Sequence, residues 1–335
     1  MRKISMFRPG ALGDTILAFP ALAALRQAFP DAQIVIIGNA PALALAKDAG
    51  LAGLVLSFDL PWWAELFAEE GIRSEEARRV LEGADLAVLW LRDPDGVASR
   101  NLRALGIPSV LVAPGRPAEG QRVHAAEYLV STLEPVLGAL SSEASAGAFP
   151  LALSPQAARW AEQEWGQLHL TSQRVLALHP GSGGRRKCWP PERYAALAGR
   201  FLARGWRVLL IAGPADEAAM AETQRALQAD SINLQDGRVR YLANLGLSHL
   251  AALLARAALV VGNDSGVSHL SAVVGAPTLA LFGPTDPAIW APRGPRAQVL
   301  WAGQVGDERV QLAEMGALNV EEVYAAAWRM LEQES

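Results

Sequence analysis

Cysteine is almost absent from the 335 residues: Cys188 stands alone, so neither a disulfide framework nor a cysteine-based zinc site can form within the chain. That usage fits a reducing compartment. Lysine is nearly as scarce, with only Lys3, Lys47 and Lys187 against 27 arginines, so a lysine inside a motif stands out. No apolar run approaches the roughly 18 residues that suggest a membrane span. An excess of positive charge is lacking too. Thirty Lys+Arg face 34 Asp+Glu, for a net charge of −4, which argues against a general nucleic-acid binder. Met1-Arg2-Lys3 begins like the basic region of a leader. Arg8 and Asp14 then interrupt the apolar stretch and no small-residue cleavage site follows, so a cytoplasmic chain is expected.

What is present is apolar and alternating. Hydrophobic residues make up 51% and charged residues 19%, which excludes disorder and a coiled coil and can fill two cores. The length fits two domains. Short β-branched runs (3–7, 34–37, 84–90 and 109–112) alternate with Ala/Leu-rich helical stretches, the first spanning 14–29 with Pro20 set to kink or divide it. A Ser/Ala/Gly/Pro-rich stretch, 141–156, reads as the boundary region. Ser154-Pro155 then reads as a helix start. A second series follows with strands at 174–179, 207–212, 258–262 and 278–282, and the chain closes with an amphipathic helix from Val320. This order predicts an α/β protein with parallel sheets covered on both faces.

Three loops carry chemistry. Arg8-Pro9-Gly10-Ala11-Leu12-Gly13-Asp14-Thr15 lies between the first strand and its helix, at the strand end where open α/β sheets bind ligands. Asp14 there is either a helix cap or a catalytic carboxylate. The spacing is not that of a dinucleotide fingerprint. The second loop, His179-Pro180-Gly181-Ser182-Gly183-Gly184-Arg185-Arg186-Lys187-Cys188-Trp189-Pro190, combines three glycines with three cations. Amides and charge of that kind surround phosphate, although the order is not that of a Walker loop. The third, Gly262-Asn263-Asp264-Ser265-Gly266-Val267-Ser268-His269, leads from strand to helix. Ser265 and Gly266 are placed to meet an anion, and Asp264 to meet sugar hydroxyls or cap the helix. His269 reads more readily as a packed residue than as a catalyst.

Two further features are weaker. Asp93-Pro94-Asp95 has the spelling of a metal-dependent transferase motif but reads better as a turn, so no metal site is assigned. The carboxylates of Gly213-Pro214-Ala215-Asp216-Glu217, Asp216 and Glu217, are placed either to receive a ribose diol or to lie in an exposed turn.

With Phe282-Gly283-Pro284-Thr285-Asp286-Pro287, these loops occur in the order and spacing that resemble glycosyltransferase family 9, the ADP-heptose:lipopolysaccharide heptosyltransferases. The resemblance covers nearly the whole chain and is thinnest over 55–120. It implies a GT-B fold, with two Rossmann-like domains facing across a cleft. Residues 1–153 would form the acceptor side and 154–319 the nucleotide-sugar side, with the helix 320–335 returning to the first domain. It implies inverting transfer of a heptose from ADP-L-glycero-D-manno-heptose to the lipopolysaccharide inner core, with neither cofactor nor essential metal, by an enzyme peripheral to the inner membrane. In that scheme Asp14 is the general base, and Gly13, Ser182, Lys187, Glu217, Asp264, Ser265, Gly266 and His269 form the donor site. Lys187 holds donor phosphate there.

The first 150 residues carry 13 basic and 17 acidic groups, although the family's anionic glycolipid acceptors call for cations. Arg73, Arg78 and Arg79, or Arg100 and Arg103, are the available patches, and a less charged polysaccharide acceptor is the alternative. A GT-B epimerase and a non-catalytic nucleotide-sugar binder are the other readings. Asp14 speaks against both.

Overall fold

The computed structural model describes residues 1–138, 149–303 and 313–333. The first half of the expected boundary stretch, 141–148, lies outside the described residues. The chain divides into two compact units, Met1–Phe149 and Pro150–Ser335. The division precedes the expected 153/154 boundary because the Leu151 N–H donates to the Val273 carbonyl (2.8 Å), which ties the connecting segment to the second unit.

The first unit holds five parallel strands: β1 (Lys3–Arg8), β2 (Gln33–Gly38), β3 (Leu54–Ser57), β4 (Leu86–Trp90) and β5 (Ser109–Ala113), in the order β3-β2-β1-β4-β5. The direction of winding reverses between β1 and β4, so the loop after β1 lies at a topological switch point, the usual ligand position in such sheets. The first helix is divided into α1 (Leu12–Ile16) and α2 (Phe19–Ala28). Pro20 sits in the first turn of α2, where its missing N–H costs nothing. Phe7, Val35, Ile37, Leu89 and Trp63 lead the core on one face of the sheet, with Trp63 edge-on to Phe7.

The second unit opens with α3 (Pro155–Gln167), capped by Ser154, whose Oγ accepts the Ala157 N–H. Its six strands are β6 (Val175–His179), β7 (Arg207–Ala212), β8 (Val239–Ala243), β9 (Leu259–Asn263), β10 (Thr278–Phe282) and β11 (Ala297–Trp301). All are parallel, in the order β11-β10-β9-β6-β7-β8. The reversal here falls between β6 and β9. Both strands are fully buried, as are both faces of β10. Further helices are α4 (Pro191–Ala203), α5 (Glu217–Ala229), α6 (Gly266–Val273) and α7 (Val320–Glu332).

The closing helix is the amphipathic one expected from Val320. By its own contacts α7 belongs to the second unit. Val323, Ala326, Ala327 and Met330 are buried in one cluster with Phe201, Leu202 and Trp206. Its apolar stripe meets the buried Phe201 and Leu202 of α4, and Asn319 with Glu322 forms a capping box at its start.

Candidate functional site

In the first unit, Asp14 is the third residue of α1. Its Oδ2 accepts the Ala11 N–H at 3.1 Å, and its Oδ1 lies 3.5 Å from Arg8 Nη2. The helix-cap reading is thus met in part: the carboxylate reaches back to the first orphan amide, as the third residue of a helix often does. The side chain keeps 36% of its surface accessible, whereas that of Arg8 keeps 6%. Arg8 also donates to the Asp14 carbonyl (3.1 Å) and the Pro9 carbonyl (3.1 Å). Burial pulls the guanidinium below its ordinary range and Asp14 opposes that. A Cβ at Gly10 would stand 2.9 Å from Asp14 Cβ, and φ there is +151°, so the turn needs glycine. Gly13 lies within α1 and its carbonyl accepts the Leu17 N–H.

In the second unit, the loops after β6, β9 and β10 converge on Asp264. Lys187 Nζ donates to its Oδ2 at 2.7 Å, Thr285 Oγ1 donates to the same oxygen at 2.6 Å, and Ser182 Oγ donates to its backbone carbonyl at 2.7 Å. Asn263, fully buried, fastens these loops together. Its Nδ2 donates to the Pro180 and Gly181 carbonyls, and its Oδ1 accepts from the Trp189 N–H and lies 3.0 Å from the Tyr194 hydroxyl. Ser265 caps α6, its Oγ accepting the Ser268 N–H, so the helix begins directly after Asp264. A cation, a hydroxyl and a helix N-terminus at one sheet end are the groups by which proteins meet phosphate.

His179, not singled out by sequence, and Asp216, one of the two carboxylates offered for a ribose, lie beside these loops. His179 Nε2 lies 3.0 Å from Asp216 Oδ2 and its Nδ1 lies 3.3 Å from Ser265 Oγ. Burial pushes the Asp216 carboxyl up, but His179 and the Gly213 N–H together hold it below the ordinary range. A Cβ at Gly181 would fall 1.9 Å from Asp216 Oδ1, so glycine is what lets the carboxylate in. The same carboxylate helps line a pocket of about 310 Å³ with Ser182, Cys188, Trp189, Glu222 and Thr223. The neighbouring Glu217 is exposed at the start of α5 and does not line that pocket. His269 is buried in α6.

Asp93 accepts the Ala98 N–H (3.0 Å) and the Ser99 N–H (2.9 Å), as the turn reading of Asp93-Pro94-Asp95 expects. Of the arginines offered as patches, Arg100 is paired with Glu69 at 2.9 Å and Arg78 donates to the Ile72 carbonyl. No helix among the described residues is long and apolar enough to cross a membrane.

Residues 129–316 match the family described as "Glycosyltransferase family 9 (heptosyltransferase)". Lipopolysaccharide heptosyltransferase 3 of Escherichia coli is 31% identical over 133 residues, which are 39% of this chain and 37% of that protein. The chain therefore matches well under half the length of that curated relative. Lipooligosaccharide heptosyltransferase 2 of Campylobacter jejuni is 25% identical over 286 residues, 84% of this chain and 81% of the relative. The solved structure of Escherichia coli ADP-heptose lps heptosyltransferase II superposes with a TM-score of 0.75 at 20% identity, covering 99% of each chain, which shows the same fold.

Proposed function

Because the chain belongs to glycosyltransferase family 9 and has the GT-B class of fold, we propose that it is an inverting glycosyltransferase. It moves a heptose from ADP-L-glycero-D-manno-heptose to the lipopolysaccharide inner core. The convergence of Lys187, Ser182 and Thr285 on Asp264 at the start of α6 carries the reading, since it builds a diphosphate-sugar site from three separate loops. The names of the relatives supply heptose, ADP and lipopolysaccharide.

Each residue type then has a task. Asp14 takes the proton from the acceptor hydroxyl as that oxygen attacks the anomeric carbon from the face opposite ADP. Arg8 orients the carboxylate. Charge grows on the departing diphosphate, where Lys187 and the first-turn amides of α6 stabilise it without a metal. Asp264, held by Lys187 and Thr285 through one oxygen, faces the sugar with the other. Glu217 serves the ribose, and His269 shapes the donor site from within α6. The lipid acceptor sets the place of work at the cytoplasmic face of the inner membrane.

A second acceptor class, a less charged surface polysaccharide, is favoured by the 13 basic against 17 acidic groups of the first 150 residues. Mass spectrometry separates the two. With ADP-heptose and a panel of acceptors, the reading expects a heptose mass increment on lipopolysaccharide core. An increment from another nucleotide sugar, or on neutral glycans alone, overturns it.

A further inference from the structure

We propose that His179 is a positioning residue that sets where the Ser265 hydroxyl proton points, and that a diphosphate bound at the start of α6 draws a proton from solvent onto His179 Nδ1. The proposal rests on the reading of this site as the donor's.

Hydrogen-bond accounting leads there. Asp216 is ionised and accepts the Gly213 N–H at 2.8 Å through Oδ2, the oxygen that also faces His179. It can only accept from His179, so Nε2 carries a proton in every state. The Nδ1 of the neutral ring is then an acceptor, and the partner 3.3 Å away is the Ser265 hydroxyl. Ser265 Oγ meanwhile accepts the Ser268 N–H as the helix cap. In this state the serine's single proton points inward at the histidine, and only a lone pair faces the anion site.

A proton on Nδ1 reverses the arrangement. The ring donates to Asp216 and to Ser265 Oγ, and the serine O–H turns out towards the phosphate. One proton taken from solvent supplies both a buried positive charge and a new donor. An anion at α6 favours that state, and by linkage the protonated ring favours the anion. The ring is 2% exposed, so water competes weakly for these bonds.

The titratable groups around it are few. Asp216 comes from the turn before α5. The Cys188 thiol, whose ionisation burial and the Asp216 charge oppose, comes from the preceding loop. The Tyr194 hydroxyl of α4 lies 3.2 Å from the His179 carbonyl. The Lys187–Asp264 pair flanks Ser265, and His269 follows four residues later on α6.

Calorimetric titration of the full chain with ADP tests this, run in two buffers of different ionisation enthalpy so that the proton count is measured. A pH of about 7.5 keeps the terminal phosphate of ADP largely ionised. The wild type takes up a fraction of a proton per ADP, and its affinity falls as pH rises. His179→Gln keeps a donor towards Asp216 but cannot titrate; it loses the uptake and binds ADP about tenfold more weakly, the size of one hydrogen bond to a charged group. Ser265→Ala, which leaves the histidine in place, also loses most of the uptake and decides the matter if His179→Gln does not fold. Equal proton counts in wild type and variants overturn the proposal. ADP binding without uptake in the wild type sinks it alone, whereas no ADP binding at all sinks the donor-site reading with it.

Discussion

Asn263 has every hydrogen-bonding position of its amide in use, on partners 69 to 83 residues away in sequence. Asn263→Leu keeps the branching of the side chain but strands two carbonyls and an N–H in the interior. Unfolding in urea should show a loss of about 3 kcal/mol, because each orphaned buried group costs about 1–3 kcal/mol. A loss below about 1 kcal/mol would mean that other contacts hold the loops. Much of the site's chemistry was legible at this scale. Lys187, Ser182, Asp264 and Ser265 stand out by residue type and by position after a strand, and the fold brings them together. His179 and Asn263 were not, and Asp216 stood out only as a ribose carboxylate and not as the partner of His179, because these contacts lie 37 to 86 residues distant in sequence. Arg8 was missed for the opposite reason: a charged residue ending an apolar strand was a signal, and its partner Asp14 was only six residues away.

Strand-loop-helix units carry the next level. The helix Val97–Ala104 begins at Gly96, which is left-handed and offers no side chain, so Asp93 does the capping from three residues earlier. Burial raises the Asp93 carboxyl, but the Ser99 and Ala98 N–H groups and the Ser99 hydroxyl outweigh it and leave it below the ordinary 3.8. The cap is therefore complete at neutral pH and weakens as pH falls through the depressed value. Asp93→Ala should cost about 1 kcal/mol in thermal unfolding and leave turnover unchanged. Turnover that collapses at unchanged stability would revive the metal-motif reading. The central strands β1, β4, β6, β7, β9 and β10 were readable from their apolar runs, since parallel strands covered on both faces have no polar alternation. The strands β3, β8 and β11 were not, because each is a short edge strand with mostly half-buried side chains. The partner of α7 was equally hidden: an amphipathic stripe announces that a helix packs, but not on what.

Across the whole molecule, two separately cored units each end in a switch point, and chemistry gathers at both. The first holds a carboxylate beside a buried arginine; the second holds a lysine, hydroxyls and a helix start. On the proposed reaction these are a base and a donor grip, which divides binding from proton transfer between different residues. Asp14→Asn tests that division most directly, because it preserves shape while removing the base. Steady-state transfer of heptose and calorimetric ADP affinity should be measured on the same preparation. Turnover should drop by at least about a hundredfold, the usual scale for losing a general base, with the ADP dissociation constant within about twofold of wild type. Full turnover in that variant, or an equal loss of ADP binding, would contradict the account.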